Sequence, residues 1–138
     1  MKKKLFVTGG CGYVGSLMIQ SFLDRYSVKN IDTQWFGNKL KKNDDLINIE
    51  EDIRNLSGEF IDKNTYAVIH LANIANDPSV ELDQTLSWEV NVLAAKNLIE
   101  KSINAGVKKF IYASSGSVYG VKNEMRVTED LDLVPISA

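Results

Sequence analysis

The glycine-rich stretch Thr-Gly-Gly-Cys-Gly-Tyr-Val-Gly near the N-terminus constrains the fold of this chain more than any other feature. It follows a short apolar run at residues 5–7 and precedes a largely apolar segment at residues 16–23, so the order is strand, glycine loop, helix. We expect Gly9 to permit the sharp turn out of the strand, Gly12 to let backbone N–H groups approach a pyrophosphate, and Gly15 to let the helix pack closely on the sheet. Because both flanking elements are present, the stretch predicts a dinucleotide-binding loop rather than an ordinary Gly-rich turn.

An acidic residue at the end of the next strand supports this interpretation. The segment Val28–Asp32 predicts a strand that ends in a carboxylate, and Asp32 follows Gly15 by 17 residues. That spacing is close to the distance of about 20 residues at which an acid holds the ribose 2′-hydroxyl of a dinucleotide. A carboxylate there repels a 2′-phosphate, so we expect NAD rather than NADP. The alternative is that Asp32 is only a turn or helix-capping residue.

Composition excludes several other classes of protein. The 138 residues, of which 44% are hydrophobic and 25% charged, are ordinary for one globular domain, which we expect to span residues 1–138. The net charge of −2 gives no indication of a nucleic-acid partner, and no apolar run approaches the ~20 residues of a membrane span. The single cysteine, Cys11, excludes an internal disulfide and is typical of a reducing compartment, so we expect a cytoplasmic protein. One histidine, His70, leaves no multi-His metal site.

Further strands are predicted along the rest of the chain, at Leu46–Ile49, Tyr66–Ala72 and Lys108–Ala113. The unbroken apolar run at Tyr66–Ala72 is typical of a strand buried on both faces, and hence of a parallel sheet. Strands that alternate with helices predict an α/β, doubly wound Rossmann-type parallel sheet. With strand order 3-2-1-4-5, the ends of strands 1, 2, 4 and 5 would line one crevice beside the glycine loop.

The longest helical pattern runs from Gln84 to Ala105, and Gly106 is a good C-terminal stop. Its apolar positions recur at helical spacing, at Leu86, Val90, Leu93, Ala94, Leu98 and Ile103. Asn91 interrupts that side, where it either faces water or reaches the sheet edge. A short helix is expected over Asn55–Lys63 with Asn55 as its cap. Loops are expected at residues 33–45, over the adenosine end of the crevice, and at residues 73–83.

A family resemblance rests on six motifs that occur in a fixed order. They are the glycine stretch from Thr8 to Gly15, Asp32, Asp52-Ile53-Arg54, His70-Leu71-Ala72, Asn91-Val92 and the serine-rich segment from Ser114 to Gly120. In these the chain resembles the extended short-chain dehydrogenase/reductases, specifically the NAD-dependent epimerase/dehydratase family that acts on nucleotide sugars. No motif is specific alone, but six in order from residue 4 to the end are a strong signal.

The resemblance implies NAD as cofactor and a role for each matching position. Besides the roles of the glycines, it implies that the backbone of Tyr13 and Val14 contacts the pyrophosphate and that Asp32 contacts the adenine ribose. It implies that the adenine lies between Asp52 and Ile53. The rest of the cofactor would run along Leu71, Ala72 and Asn73, with the nicotinamide beside Ala113 and Ser114. Ser115 resembles the catalytic Ser/Thr that hydrogen-bonds the reacting sugar oxygen, the alternative being a hydroxyl-rich turn at the end of the strand. Asn91 resembles a helix asparagine of mainly structural role.

The proton acceptor of the family is missing from the given residues. In the family NAD takes a hydride, and a Tyr whose pKa is lowered by a Lys one helical turn later takes the proton; this Tyr-x-x-x-Lys follows a Pro-x-Ser sequence. Here Pro135–Ala138 reads Pro-Ile-Ser-Ala, and none of the five tyrosines has Lys four residues later. The resemblance therefore implies an N-terminal fragment of a longer enzyme, inactive alone and without its substrate domain, and a homodimer when intact.

The positions after Ser115 bear on the reaction type. Dehydratases of the family carry an Asp-Glu pair there, whereas this chain has Gly116 and Ser117, so elimination of water is disfavoured. We therefore expect an NAD-dependent nucleotide-sugar epimerase that works through a keto intermediate. Open alternatives are a nucleotide-sugar 4-keto reductase and, if the native chain ends at Ala138, a non-catalytic NAD-binding regulatory module. A flavodoxin-like mononucleotide domain is disfavoured by Asp32 and the glycine spacing.

Overall fold

The computed structural model describes residues 2–75 and 77–136, and in this part of the chain five strands form one parallel sheet. The strands are β1 (Lys3–Thr8), β2 (Tyr26–Asp32), β3 (Leu46–Glu50), β4 (Thr65–His70) and β5 (Lys109–Tyr112). Their order is β3-β2-β1-β4-β5, and each neighbouring pair is parallel. This confirms the predicted sheet and places the topological switch point between β1 and β4.

The α-helices are α1 (Tyr13–Phe22), α2 (Asp77–Leu82), α3 (Gln84–Trp88) and α4 (Ala95–Asn104). A π-helical turn, Glu89–Ala94, joins α3 to α4 without a break. The predicted long helix is therefore confirmed in extent but carries this turn at its middle. It ends as predicted at Gly106, whose φ is +72°, and the N–H groups of Gly106 and Val107 donate to carbonyls of the last turn.

Each face of the sheet is covered by its own apolar layer. On one face, Ile19 of α1 and Leu23, the residue that caps it, pack against side chains of β1, β2 and β4. On the other, the π-turn and α4 pack Val90, Ala94 and Leu98 against the opposite side chains of the same strands. The central strands are thus buried on both sides, as the apolar run of β4 predicted. Among the described residues, no helix has the length and apolar character that crossing a membrane requires.

The helix predicted over Asn55–Lys63 is wrong. The segment forms two short 3₁₀ turns, Ile53–Asn55 and Gly58–Phe60, and the first is capped by Asp52 rather than Asn55. Leu56 and Ile61 both reach the same core cluster, but a separation of five residues would turn them to different sides of an α-helix. The chain buries both side chains by following an irregular path instead of a helix.

The loop predicted at residues 73–83 is also corrected, because it contains α2. Pro78 is the second residue of this helix, a position in the first turn where the missing N–H costs nothing. Asn76, within the predicted loop, lies outside the described residues. Two of the predicted core positions of the long helix, Leu93 and Ile103, are exposed. The strand predicted at Tyr66–Ala72 begins one residue earlier and ends two residues earlier, and the strand predicted at Lys108–Ala113 is one residue shorter at each end.

Candidate functional site

A cleft of about 460 Å³ opens at the carboxyl ends of the strands, beside the switch point. Its lining includes Gly9, Gly12, Asp32, Asp52, Ile53, Leu71, Ala72 and Asn73, eight of the positions predicted from the sequence. Tyr13, Val14, Gly15, Ala113, Ser114 and Ser115 lie outside that lining. The predicted crevice is thus correct for β1, β2 and β4. The residues after β5 lie outside this cleft, which is also lined by residues after β3, of the π-turn and of α2. The predicted place of the β5 end beside a cofactor stays a prediction.

The glycine loop has the backbone geometry that its sequence predicts. Gly9 has φ of +76°, and a Cβ there would lie 2.5 Å from the backbone nitrogen of Ala72. At Gly12 a Cβ would meet only the carbonyl oxygen of Gly9, at 3.3 Å, so the space on the cleft side is open. A Cβ at Gly15 would lie 2.5 Å from the Cα of Gly10. Gly15 therefore lets α1 start against the loop's own backbone, where we had expected contact with the sheet.

Helix α1 begins at Tyr13, directly after the loop. Tyr13 and Val14 are exposed, and their backbone N–H groups belong to the first turn, which has no carbonyl partners within the helix. Gly12, the N-terminal cap, provides no side-chain hydrogen bond to this turn. The positive end of the helix dipole therefore stands beside the cleft with donors suited to a phosphate.

Asp32 joins the end of β2 to the glycine loop. One carboxylate oxygen accepts the N–H of Cys11 at 2.9 Å, and the other accepts the N–H of Gln34 at 2.7 Å. The second contact is the turn role that we had kept as the alternative for this residue. Asp32 also lines the cleft, and each oxygen keeps further lone pairs that hydroxyl groups can fill. The structural and the ligand-binding interpretations of Asp32 are therefore compatible.

Cys11 is a buried loop residue rather than an activated nucleophile. Burial raises the pKa of its thiol, and the nearby negative charge of Asp32 raises it further. A raised thiol pKa lowers the thiolate fraction at neutral pH.

One buried and one half-buried amide beneath the loop were missed from the sequence. Asn30 is fully buried in β2, accepts the N–H of Gly10 at 2.9 Å, and donates to the Asn48 side chain on β3 at 2.6 Å. The available signal was a polar residue inside a predicted strand, between apolar residues at positions 28 and 31. It gave no indication of which backbone group the amide would meet.

At the end of β3, Asp52 and Ile53 form one wall of the cleft. Arg54 donates to the Asp52 carboxylate from Nε at 3.0 Å and Nη2 at 2.7 Å, and its Nη1 reaches Glu89 of the π-turn at 2.8 Å. Burial favours the neutral acid at Asp52, but the hydrogen bonds from Arg54 and its positive charge together hold the pKa of that carboxyl below its ordinary value. Asp52 is therefore an anion of fixed orientation.

The end of β4 and the segment after it are held by side chains that do not line the cleft. His70 is buried, its Nδ1 lies 2.6 Å from Oγ1 of Thr8, and burial lowers the pKa of its ring to about 4. Asn91 of the π-turn accepts the N–H of Ile74 at 2.8 Å and donates to its carbonyl at 3.0 Å. Asn91 therefore neither faces water nor reaches the sheet itself, because its amide holds the segment that follows β4. The segment 71–74 is thereby held along the cleft floor.

Ser115 lies at the end of β5 in a turn of its own. Its hydroxyl is 2.6 Å from the hydroxyl of Ser117 and accepts the Ser117 N–H at 3.2 Å, capping the 3₁₀ turn Gly116–Tyr119. The side chain is exposed. Ala113 continues the sheet by donating its N–H to the carbonyl of His70 at 3.1 Å.

The loop after β2 supplies two aromatic side chains to the cleft. Trp35 and Phe36 line it, and both are exposed, Phe36 by 91%. Leu82 of α2 is exposed by 88% and lines the same cleft. Asp32, Asp52 and the aromatic pair together form a pocket that can surround a flat, hydroxylated ligand.

The same stretch of chain matches a known family. A sequence model described as the NAD dependent epimerase/dehydratase family matches residues 5–138. A UDP-glucose 4-epimerase from Corynebacterium glutamicum is 31% identical over 139 residues, which cover 98% of this chain and 42% of the relative.

Solved structures give the same result. The UDP-N-acetylglucosamine 4-epimerase from Methanobrevibacter ruminantium superposes with a TM-score of 0.92 at 32% identity, over 99% of this chain and 46% of the other. A variant of the UDP-glucuronic acid 4-epimerase from Bacillus cereus, solved with NAD and UDP-4-deoxy-4-fluoro-glucuronic acid, superposes with a TM-score of 0.87 at 31% identity, over 97% and 46%. The chain thus spans less than half the length of these relatives.

Proposed function

Because the chain belongs to the NAD-dependent epimerase/dehydratase family, we propose that it is the NAD-binding part of a nucleotide-sugar 4-epimerase. Three relatives that act as 4-epimerases on UDP-sugars, by their names, support the reaction and the substrate class. Since the chain covers less than half of each, residues beyond those given would have to supply the rest of the site. We further propose that the protein assembles as a homodimer and is located in the cytoplasm.

The position of Asp32 is the observation that carries this proposal. Its carboxylate stands in the cleft beside the glycine loop, with its orientation fixed by two backbone N–H groups. The residues present fit an adenine dinucleotide, because the open space over Gly12 admits a pyrophosphate and the Asp32 oxygens accept ribose hydroxyl groups.

Each residue has a proposed task around the cofactor. The backbone of Tyr13 and Val14 would bind the pyrophosphate, Gly15 would keep α1 close to the loop, and Asp52 and Ile53 would hold the adenine. Leu71, Ala72 and Asn73 would lie along the cofactor, and Ala113 and Ser114 would border the nicotinamide. When bound, NAD accepts a hydride from the sugar carbon and returns it.

Ser115 is proposed as the catalytic residue that hydrogen-bonds the reacting sugar oxygen. Its hydroxyl is exposed at the carboxyl end of β5 and already shares a hydrogen bond with Ser117. That second hydroxyl orients the Ser115 oxygen without adding charge. Ser117 and Gly116 supply no acid or base for the removal of water, which favours epimerisation over dehydration.

Titration with NAD and NADP by calorimetry tests the cofactor assignment. We expect the protein to bind NAD more tightly than NADP, and Gly12→Val to abolish NAD binding because the new side chain fills the space over the loop. Gln20→Val, which places the same residue on the exposed side of α1, is the matched control and should bind NAD normally. Unchanged NAD affinity in Gly12→Val would overturn the assignment.

The reaction is tested on the protein together with whatever coding sequence follows residue 138. We expect interconversion of a UDP-sugar and its C4 epimer without net consumption of NADH. Stoichiometric consumption of NADH or NADPH would instead identify a reductase, and NAD binding with no turnover would identify a regulatory module. In the active protein, Ser115→Ala should lower turnover far more than NAD affinity.

A further inference from the structure

We infer that Asn30 is a positioning residue for the cofactor loop, and that it holds the Gly10 N–H in place while Asn48 fixes the direction of its amide. The inference rests on the proposed NAD site and adds to it a control on the shape of the loop that comes from the sheet beneath. Neither asparagine belongs to a motif by which the family is identified.

Asn30 is placed directly under the loop. It is fully buried in the middle of β2, paired by register with Val7 of β1 and with Asn48 of β3. Side chains alternate along a strand, so Asn30 shares its face with Val28, which packs on α1, and with Asp32. A fully buried amide must find partners for its oxygen and its nitrogen within the protein.

Three consecutive N–H groups of the loop are bound by consecutive residues of β2. Gly9 donates to the backbone carbonyl of Ile31, Gly10 to the side-chain oxygen of Asn30, and Cys11 to the carboxylate of Asp32, each at 2.9 Å. The contact of Gly9 uses a backbone carbonyl, which any residue at position 31 would provide. The other two depend on side chains, and only Asp32 was identifiable from its place in the family pattern.

The direction of the Asn30 amide is determined by Asn48. The Nδ2 group of Asn30 donates to Oδ1 of Asn48 at 2.6 Å, which leaves Oδ1 of Asn30 for the Gly10 N–H. An Asn30 amide turned the other way would set two oxygens against each other and two donors against each other. A Cβ on Gly10 would run into Oδ1 of Asn30 and into Ile19, so loop and amide are in close contact.

Loss of the Asn30 amide would weaken binding of the pyrophosphate. Gly10 is buried, and without Asn30 its N–H would have no acceptor where it now lies. The loop would then relax until that N–H reached water, which would also move Gly12 and the start of α1. Binding NAD would require the original shape to be restored, and the cost would appear as lost affinity.

The test compares Asn30→Leu, of similar size and without hydrogen bonds, with Val28→Ala on the same strand and face. Val28→Ala opens a cavity in the α1 layer without touching the loop, so it controls for general loss of stability. We expect Asn30→Leu to weaken NAD about tenfold or more in calorimetry, the factor set by one buried N–H left without a partner. Adenosine lacks the pyrophosphate, and its affinity, followed by NMR titration, should be unchanged. Val28→Ala should bind both ligands normally.

A second variant tests the role of the neighbouring strand. Asn48→Leu leaves Asn30 in place but removes the acceptor that orients it, and we expect a smaller loss of NAD affinity, again with adenosine unaffected. This variant also serves if Asn30→Leu fails to fold, because Asn48 is only half-buried.

The outcomes separate this inference from the proposed function. If the unmodified protein bound no NAD, the proposed function and the inference would both fail. If it bound NAD and Asn30→Leu bound equally well, only the inference would be overturned. Equal weakening of NAD and adenosine would make Asn30 a general stabiliser of the fold, which also contradicts a positioning role.

Discussion

Gly9 is held by two separate constraints, and a matched pair of glycines distinguishes them. Its φ of +76° disfavours any side chain, and a Cβ would also lie 2.5 Å from the nitrogen and 2.7 Å from the Cα of Ala72. Gly106 has a similar φ of +72°, but a Cβ there would have no neighbour within 4 Å. Gly106 therefore carries the conformational constraint alone.

We predict that Gly106→Ala lowers the free energy of unfolding by about 1 kcal/mol, the cost of a left-handed alanine. Gly9→Ala should cost about 2–4 kcal/mol, because backbone atoms must also move apart. Urea denaturation of both variants measures the difference. Equal losses would show that the backbone of Ala72, which follows β4, moves away from the new methyl group at little cost in free energy.

His70 gives the fold a predictable response to acid. Its ring stays neutral in the folded protein down to about pH 4, whereas in the unfolded chain it takes a proton near the ordinary value of about 6.5. Below that pH the unfolded state binds more protons, so stability falls as pH falls from about 6.5 to 4 and then levels off. The shift corresponds to roughly 3 kcal/mol.

The measurement is urea unfolding of the unmodified protein and of His70→Asn across this pH range. Asparagine keeps a polar atom for Thr8 but does not titrate, so its stability should decline less steeply with acid. Parallel curves would contradict the assignment of this slope to His70. The comparison is needed because carboxylates such as Asp52, whose pKa is held low in the folded protein, add their own loss of stability at the acid end of this range and below it.

At the scale of the elements, Arg54 connects the end of β3 to the π-turn through Asp52 and Glu89. Because these side chains are partly exposed, we predict that Arg54→Ala costs less than about 1 kcal/mol of stability. The larger effect should be on the pKa of Asp52, which rises once burial is no longer opposed by the guanidinium. NMR titration of the Asp52 carboxyl carbon measures this.

Lys96→Ala is the control, since it breaks the exposed Lys96–Glu100 pair at 3.9 Å, away from the cleft. It should leave the Asp52 pKa unchanged. A pKa that stayed low in Arg54→Ala would mean that the backbone N–H of residue 54, which also donates to Asp52 at 2.8 Å, suffices to hold the charge.

The elements that the sequence predicted well are those with local signals. The glycine spacing, the apolar run of β4 and the stop at Gly106 are each visible within a few residues of sequence. The strand order was predicted from the alternation of strands with helices. Contacts between distant elements could not be predicted, because Asn30 meets Gly10 and Asn48 only through the register of the sheet. The π-turn likewise depends on neighbours in space, since Asn91 binds the backbone of Ile74, 17 residues away.

One local signal was misjudged. The Asp-Pro pair at residues 77 and 78 suggested a loop, although proline is favoured in the first turn of a helix, and here it opens α2. The hydroxyl of Ser115 is held by Ser117 in a turn after β5, and nothing in that turn tests its proposed catalytic contact. Its role stays a prediction.

For the whole molecule, one side stands out by its uncovered apolar surface. Val92, Ile99 and Tyr112 line a shared groove between the long helix and β5, and all three are exposed. Trp88 and Ile103 are exposed on the same long helix. A contiguous apolar surface in a globular protein usually contacts a partner. In line with the proposed homodimer, we expect that partner to be a second copy of the chain.

We therefore predict that the protein self-associates in a concentration-dependent manner in sedimentation velocity, and that Ile99→Lys weakens the association at least about tenfold by placing a charge in the groove. Ile47→Lys is the matched control, because Ile47 is 59% exposed on β3 at the other edge of the sheet. It should associate like the unmodified protein. If the protein stayed monomeric at all concentrations, or if both variants weakened association alike, this surface would not be the site at which copies meet. Since neither Ile99 nor Ile47 lines the cleft, NAD affinity should be the same in both variants, which separates assembly from cofactor binding.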